Sequence, residues 1–297
     1  MMEEKAVMWH NIISKMNDER FVTYKRFFHI EGPNGRHSRI HPWLARRVAF
    51  QVTKAIADLH SQGLCHRDFN PSNIVFRIRK LDHQDDQGIY RLFGEPQRDG
   101  LRTISGEPTG AEAPRYIVGN LDFTSAEDLI RDDICLIDCD QAFLTSAPPR
   151  KTLGTPLGFL APEVAVGKSA SPASDVWALG CSILQIRSGS SPFSISNVDS
   201  PANLLGWVSE YIGRMPRSWG EPLFDDDGLP TTDTTNGESL AYSDKVDKII
   251  ESLQKISTHE ADLLYDLTSK IFVYEPAQRV SATDILAHPW FHMDDTT

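Results

Sequence analysis

The sequence lacks any long apolar run and any recognisable export signal. No stretch of about 18 apolar residues occurs, so no segment is expected to span a bilayer. The chain begins Met1-Met2-Glu3-Glu4 and soon becomes polar, without the basic start and apolar stretch of a signal peptide. We therefore expect no membrane as a partner.

Cysteine is scarce as well. The four cysteines show no C-x-x-C pair and no zinc-site spacing; they are Cys65, Cys135, Cys139 and Cys181. A reduced cytoplasmic or nuclear location is the simplest interpretation of this usage.

Positive charge is in deficit. Lys and Arg number 30 against 41 Asp and Glu, which gives a net charge of −11 at pH 7. An acidic chain argues against nucleic acid as a direct partner, and it is compatible with a basic peptide substrate. With 297 residues, 40% of them hydrophobic, the chain is long enough for one large domain or two small ones.

Helical periodicity is clearest over residues 42–62. Apolar residues recur at helical spacing on one side of this segment, and polar residues take the other face, among them Arg46 and Gln51. Pro42 suits a first turn, and Gly63 follows as a stop.

The remaining elements are predicted from shorter patterns. Two buried strands are expected at residues 74–76 and 134–137, and the insert between them is too long for an ordinary connection. Near the start of the chain, a helix is predicted at 3–16 and a strand at 19–29. Further along, helices are predicted at 175–188 and 259–273, with a polar and mobile excursion at 219–243. A last helix is predicted to start near Ser281, with Asp284 in its first turn.

Residues 66–73 read H-R-D-x-x-x-x-N, a spacing that suits phosphoryl transfer. From one rigid loop, Asp68 can meet a substrate hydroxyl and Asn73 can offer an amide oxygen to a metal on the phosphates. The alternative interpretation is a loop of turn-forming polar residues after a helix. Asp138 follows the second strand, where it can bind Mg²⁺, although an Asp after a strand is more often a turn residue.

Three further motifs follow in a fixed order. Thr155 lies in Gly-Thr-Pro, Glu163 closes an A-P-E triplet 25 residues after Asp138, and Asp175 opens an apolar helix. Arg279 follows Glu275-Pro276 near the C-terminal end. Each alone could be an ordinary turn or helix residue, but this order of motifs is very improbable by chance.

With these motifs the chain resembles eukaryotic protein kinases, and specifically the SR-protein-kinase-like branch of fungal Ser/Thr kinases. The supporting stretches are G-P-N-G-R-H at 32–37, L-F-G-E-P at 92–96, T-L-G-T-P-L at 152–157 and H-P-W-F at 288–291. The resemblance covers most of residues 3–291.

The resemblance implies an α+β kinase-like fold, mainly the α-helical C-lobe, that uses ATP and Mg²⁺. It places an N-lobe remnant at residues 1–41 and the C-lobe at 42–294, with an insert at about 77–133. It makes Asp68 the base and assigns Asn73 and Asp138 to the metal and nucleotide. Other residues with implied roles are His66, Arg67, Asp175 and the pair Glu163–Arg279 as structural supports, Asn70 in place of a phosphate-contacting Lys, and Thr155 as a mark of Ser/Thr specificity.

Several parts that hold ATP in this family are absent from the sequence. No G-x-G-x-x-G and no V-A-I-K-like strand occur, and the lysine partner of Glu3 or Glu4 would lie upstream of Met1. Ser38-Arg39-Ile40 runs almost directly into Pro42, so roughly 25 to 30 residues of the family's hinge region are missing. We therefore expect weak binding of ATP.

Two residues next to Asp138 also depart from the D-F-G pattern. Asp140 replaces the glycine and adds negative charge near the phosphates, and Cys139 replaces the phenylalanine. We interpret Cys139 as a small buried hydrophobe rather than a redox switch.

Three functions remain open at this point. The first is an active Ser/Thr protein kinase, for which the resemblance implies a protein substrate rich in Arg and Ser. The second is a truncated or non-catalytic remnant that acts by interaction. The third is a small-molecule kinase, against which the A-P-E triplet, Asp175 and Arg279 argue. The acidic residues Asp225, Asp226 and Asp227 favour an Arg-rich partner, although a solvated loop is the simpler interpretation. The oligomeric state is not predicted.

Overall fold

The computed structural model describes residues 42–119, 123, 126–149, 154–189, 191–193, 198–224, 230–235 and 256–293. The helix expected at 3–16, the strand expected at 19–29 and the acidic run Asp225–Asp227 lie outside these residues. Among the described residues, no helix is both long and apolar enough to cross a bilayer.

Helices dominate the described chain, and the strands are short. The α-helices are α1 (Pro42–Ser61), α2 (Asp86–Phe93), α3 (Pro162–Ala165), α4 (Pro172–Ser188), α5 (Pro201–Ile212), α6 (Thr258–Ile271) and α7 (Ala282–Ile285). The strands are β1 (Leu64–Cys65), β2 (Ile74–Ile78), β3 (Arg98–Gly100), β4 (Tyr116–Val118), β5 (Ile130–Leu136), β6 (Phe143–Leu144), β7 (Glu221–Phe224) and β8 (Pro230–Thr235). This confirms the predicted α+β class.

The strands pair in four small sheets, β1 with β6, β2 with β5, β3 with β4, and β7 with β8. The pairing of β7 with β8 corrects the expected irregular excursion at 219–243, because its described backbone forms an antiparallel hairpin. Four threonines in residues 231–235 explain the difference, since β-branched residues favour extended backbone.

Two compact units make up the described chain. Residues 76–133 form one, in which Phe93 and Phe123 pack edge to face with ring centroids 5.0 Å apart. In the same unit the guanidinium of Arg98 lies 5.0 Å from the ring centroid of Tyr116. Residues 42–75 and 134–293 belong to the other unit, which contains all the residues assigned catalytic or structural roles.

The core of the larger unit is built on α1 and α4. The apolar side of α1 is buried as its periodicity predicts, and the helix ends one residue earlier than expected, before Gly63 at φ +71°. Helix α4 begins three residues before its predicted start, because Ser171 and Ser174 form a capping box and Pro172 occupies the first turn. Helix α4 ends at Gly189, whose φ of +88° is readily adopted only by glycine.

Helix α4 packs closely against α6. A Cβ atom at Gly180 would lie 2.5 Å from Cγ2 of Ile271, so only glycine allows this approach. Trp177 is fully buried, and its ring lies 5.4 Å from that of Phe193 and 4.9 Å from that of Phe272. Aromatic pairs at such distances add to the stability of the core beyond simple burial.

A buried carboxylate joins four separate elements of the larger unit. Glu260, at the start of α6, accepts hydrogen bonds from Nε and Nη2 of Arg187, each at 2.8 Å. Nη1 of Arg46 on α1 lies 3.5 Å from the same carboxylate, and Nε1 of Trp290 donates to it at 3.3 Å. The sequence pattern put Arg46 on the polar face of α1, but only 7% of this residue is exposed, because Glu260 compensates its charge.

Replacing Glu260 should strongly destabilise the protein. Burial opposes ionisation of Glu260, but the hydrogen bonds and charge of Arg187 outweigh it and hold the pKa of Glu260 below its usual value. Glu260→Gln leaves two guanidinium groups buried without a carboxylate, and we expect a loss of about 3–5 kcal/mol in the free energy of unfolding at pH 7. Urea denaturation measures this loss in the free energy of unfolding.

The same pair predicts the sign of the pH dependence. Folding lowers the pKa of the Glu260 carboxyl, so this group stabilises the protein at pH values above 4.5, its pKa in the unfolded chain. The contribution is lost as the pH falls below that value. The difference between wild type and Glu260→Gln should therefore shrink below about pH 4. Asp262→Asn, at an exposed position on the same helix, serves as the control and should change stability by less than about 0.5 kcal/mol. A similar loss in both variants would contradict the role of Glu260.

Candidate active site

The loop at residues 66–73 is attached to α4 through Asp175. This carboxylate is 2% exposed; its Oδ2 accepts from the backbone N of His66 at 2.7 Å, and its Oδ1 from the backbone N of Arg67 at 2.8 Å. Nε2 of His60, on α1, lies 3.0 Å from Oδ2. Arg67 adopts φ +71°, an uncommon conformation for a residue with a side chain, and the hydrogen bond to Asp175 holds it there.

The same loop is attached to the strand that leads to Asp138. His66 is fully buried, and burial lowers its pKa, so its ring is neutral and its Nε2 donates to the carbonyl of Ile137 at 3.2 Å. The backbone N of Ile137 donates in turn to the carbonyl of Asn73 at 2.9 Å. Two hydrogen bonds to Ile137 thus connect both ends of the loop to the residue before Asp138.

Two asparagines surround Asp68. Nδ2 of Asn73 donates to the backbone O of Asp68 at 2.7 Å. Nδ2 of Asn70 donates to Oδ1 of the Asp68 side chain at 3.2 Å, and Oδ1 of Asn70 accepts from the backbone N of Ser72. Asn70, expected where the family has a phosphate-contacting Lys, therefore lies against the carboxylate of Asp68 and orients it.

Asp68 and Asp138 are close enough to influence each other's charge. Burial, and next the negative charge of Asp138, raise the pKa of Asp68 to about 6, while the hydrogen bonds from Asn73 and Asn70 lower it. Asp138 itself adopts φ +60°, so the chain turns sharply directly after β5. Asp68 and Asp138 therefore lie near each other in the structure.

The donor set fits Mg²⁺ bound together with phosphates. Asn73 uses Nδ2 toward Asp68, which leaves Oδ1 as the amide atom for a metal, and Asp138 offers a carboxylate. Among the residues described, no three His, Cys, Asp or Glu side chains cluster as a metal site. A magnesium ion here would therefore need phosphate oxygens and water as further ligands, as is usual for this ion.

Cys139, directly after Asp138, remains a thiol. Burial and the neighbouring charge of Asp138 raise the pKa of Cys139 to about 12. A thiol with so high a pKa is a poor nucleophile at neutral pH. This argues against a redox switch, and the side chain is half-buried rather than buried as expected.

Besides the pairing of β6 with β1, the side chains of Thr155 and Glu163 attach the segment between Asp138 and α4 to the rest of the unit. Oγ1 of Thr155 donates to the carbonyl of Arg67, which joins the segment to the loop at residues 66–73. Glu163 on α3 pairs with Arg279 through two hydrogen bonds of 2.8 and 3.0 Å, and both side chains are buried. Oγ of Ser174 donates to Glu163 at 3.0 Å, so the pair also touches the first turn of α4.

Two residues of this region were missed by the sequence analysis. His60 lies six residues before His66, and a His in the last turn of a helix carries no distinctive signal. Gln51, placed on the polar face of α1, accepts a hydrogen bond from the backbone N of Ile134 at 3.2 Å. Neither contact could be read from local pattern, because the partners lie far apart in the sequence.

Comparison with known proteins agrees with this geometry. The profile of the family described as Protein kinase domain matches residues 129–291, more than half of the chain. A second profile, the Lipopolysaccharide kinase (Kdo/WaaP) family, matches residues 35–90, which include the loop at 66–73.

Individual relatives match a larger share of the chain. Serine/threonine-protein kinase PKZ1 of Phytophthora infestans is 26% identical over 84% of this chain and 44% of its own length. Dual specificity protein kinase CLK1 of Mus musculus is 23% identical over 83% of the chain and 44% of its own length. Dual specificity protein kinase lkh1 of Schizosaccharomyces pombe is 26% identical over 81% of the chain and 31% of its own length. The chain thus spans less than half the length of these relatives.

Removal of Arg279 should unfold the connection between α3 and the C-terminal helices. Arg279→Ala leaves Glu163 as a buried, unpaired charge, and we expect a loss of about 3–5 kcal/mol in the free energy of unfolding. Arg279→Lys keeps the charge but not the planar fork, so its loss should lie between those of wild type and the alanine variant. Urea denaturation, with the exposed Arg217→Ala as the control, measures both. An unchanged midpoint for Arg279→Ala would contradict the role of the pair.

Neutralising Asp68 should stabilise the fold at neutral pH. A carboxyl whose pKa rises from 3.8 to about 6 on folding stabilises the native state below its unfolded pKa and loses that contribution as the pH rises through 6. Asp68→Asn removes this penalty, so its Tm should exceed that of wild type at pH 7 and equal it near pH 4. Thermal denaturation at the two pH values tests this, and an equal difference at both would contradict it.

Proposed function

Because the chain belongs to the protein kinase family, we propose that it transfers the γ-phosphoryl group of ATP to Ser or Thr hydroxyls of proteins. The observation that supports this most strongly is the arrangement of Asp68, Asn73 and Asp138. All three lie on one hydrogen-bonded frame, through Ile137 and Asp175, and phosphoryl transfer depends on such fixed positions of its functional groups.

Each of these residues has a definite task in the proposed reaction. Asp68 accepts the proton of the substrate hydroxyl, and its pKa of about 6 keeps it mostly ionised at pH 7 while it remains basic enough to act. Asn70 holds the carboxylate in place through its hydrogen bond to Oδ1. Asn73 and Asp138 would hold Mg²⁺, which neutralises charge on the phosphates when bound.

The substrate class is proposed from the activation segment and from resemblance. Thr155 bonds the carbonyl of Arg67, and this supports Ser/Thr specificity as in the Gly-Thr-Pro motif of the resembled branch. An Arg/Ser-rich protein is the proposed substrate, since the chain is acidic and resembles SR-protein kinases. All four cysteines are free thiols, which supports a cytoplasmic or nuclear location.

A second candidate is a non-catalytic member of the family that acts by protein interaction. The sequence of 297 residues contains no G-x-G-x-x-G, and Asp140 stands where the family has glycine. Asp68 cannot be productive unless ATP is held in line with the substrate hydroxyl. The two candidates therefore differ in whether bound ATP reacts, and they share the same frame.

A measurement of Mg·ATP binding and of phosphoryl transfer separates them. We expect the 297-residue chain to bind Mg·ATP with a Kd above about 1 mM, which is less than about 4 kcal/mol of binding free energy. Calorimetry measures this affinity, and labelled ATP at roughly tenfold above that Kd, with an Arg/Ser-repeat peptide as acceptor, measures transfer. Asp68→Asn should reduce the rate by at least about 100-fold.

The outcomes are distinct. Micromolar affinity for Mg·ATP would contradict the expected weak binding of the nucleotide. Transfer that is equally fast in Asp68→Asn and in the exposed control Asp262→Asn would remove Asp68 from the mechanism. An absence of transfer in wild type at saturating Mg·ATP would favour the non-catalytic candidate.

A further inference from the structure

The position of β5 is determined from two sides. On one side it pairs with β2 in a two-stranded sheet, and the residue after the strand, Ile137, donates its N–H to the carbonyl of Asn73. On the other side the N–H of Ile134 donates to Oε1 of Gln51 at 3.2 Å. This second contact comes from a helix, α1, and has no counterpart among the motifs of the site.

The N–H of Ile134 has few alternatives to this acceptor. Ile134 is 1% exposed, and the next two residues of β5 are buried as well. A buried backbone N–H without an acceptor is costly, so a chain that loses this partner shifts until the group finds another partner or water. The amide of Gln51 therefore determines where the end of β5 lies relative to α1.

A displacement of β5 at Ile134 is transmitted to Asp138. Only three residues separate the two positions, and the first two of them belong to β5. The hydrogen bond between Ile137 and Asn73 depends on the same alignment. A change at Gln51 thus reaches both residues that are assigned to the metal.

We propose that Gln51 is a positioning residue, which holds β5 so that Asp138 stays aligned with the loop at residues 66–73. The proposal concerns the geometry of β5, and it rests on the proposed function only for the role of Asp138. It extends the site to α1, whose polar face would otherwise be taken as a solvent-exposed surface.

Hydrogen exchange of individual backbone amides, followed by NMR on the full chain, tests the proposal. Gln51→Met removes the acceptor and keeps the size and helix propensity of the side chain. We expect the amides of Ile134 and Ile137 to exchange roughly five to ten times faster, the change that corresponds to one lost hydrogen bond. Gln51→Glu keeps an acceptor oxygen and should exchange at the wild-type rate.

Two controls separate a local effect from general destabilisation. Gln62→Met makes the same substitution near the end of α1. The side-chain amide of Gln62 contacts the neighbouring Ser61 at 3.4 Å, so this variant should leave exchange at Ile134 and Ile137 unchanged. The amide of Leu179 in the centre of α4 reports on global unfolding. Unchanged exchange at Ile137 in Gln51→Met, or an equal increase at Leu179, would overturn the proposal.

The transfer assay adds a functional readout. With Mg·ATP saturating, Gln51→Met should lower kcat at least about tenfold and leave KM for the peptide unchanged, and Gln51→Glu should restore kcat. An unchanged kcat in Gln51→Met would overturn the proposal even if exchange is altered. If wild type shows no transfer, the proposed function fails, and the exchange results at Ile134 and Ile137 still decide on Gln51.

Discussion

The hydrogen bonds of one buried carboxylate, Asp175, determine the geometry of the whole site. A carboxylate at 2% exposure is stable only if its oxygens are bonded, and here they accept from two consecutive backbone amides and lie against His60. Those amides belong to His66 and Arg67, so the loop that carries Asp68 starts in an orientation set by α4. The strained backbone of Arg67 persists because this bond compensates for it.

The two acidic residues of the site place it under electrostatic strain. Asp68 and Asp138 repel each other, and burial adds to the cost of ionising Asp68. Asn70 relieves part of that cost by donating a hydrogen bond to the carboxylate of Asp68. A divalent cation would relieve the rest. Two carboxylates held this close together reduce the stability of the fold, which is a common relation between function and stability.

Buried ion pairs give the larger unit the rigidity that such a site needs. Glu163 with Arg279 attaches α3 to the chain before α7, and Glu260 with Arg187 attaches α6 to α4. These pairs hold elements that are distant in sequence but adjacent in space. They gain from planar guanidinium groups, which bond both carboxylate oxygens at once.

What the sequence determined by itself was the candidate residues of the site and, to within three residues, the bounds of the three longest helices. Asp68, Asn73 and Asp138 could be found because the proposed chemistry requires given residue types at given spacings, whereas Glu163 and Arg279 were found by resemblance to protein kinases. Pro42 and Ser281 mark helix starts by local backbone chemistry. Tertiary structure alone decided the roles of Gln51, His60, Arg46 and Glu260. Their partners lie between 30 and 214 positions away in the chain, and a polar residue on a helix looks the same in sequence whether it faces water or a buried group. Local patterns encode the backbone, whereas pairing between distant polar groups depends on how the elements pack.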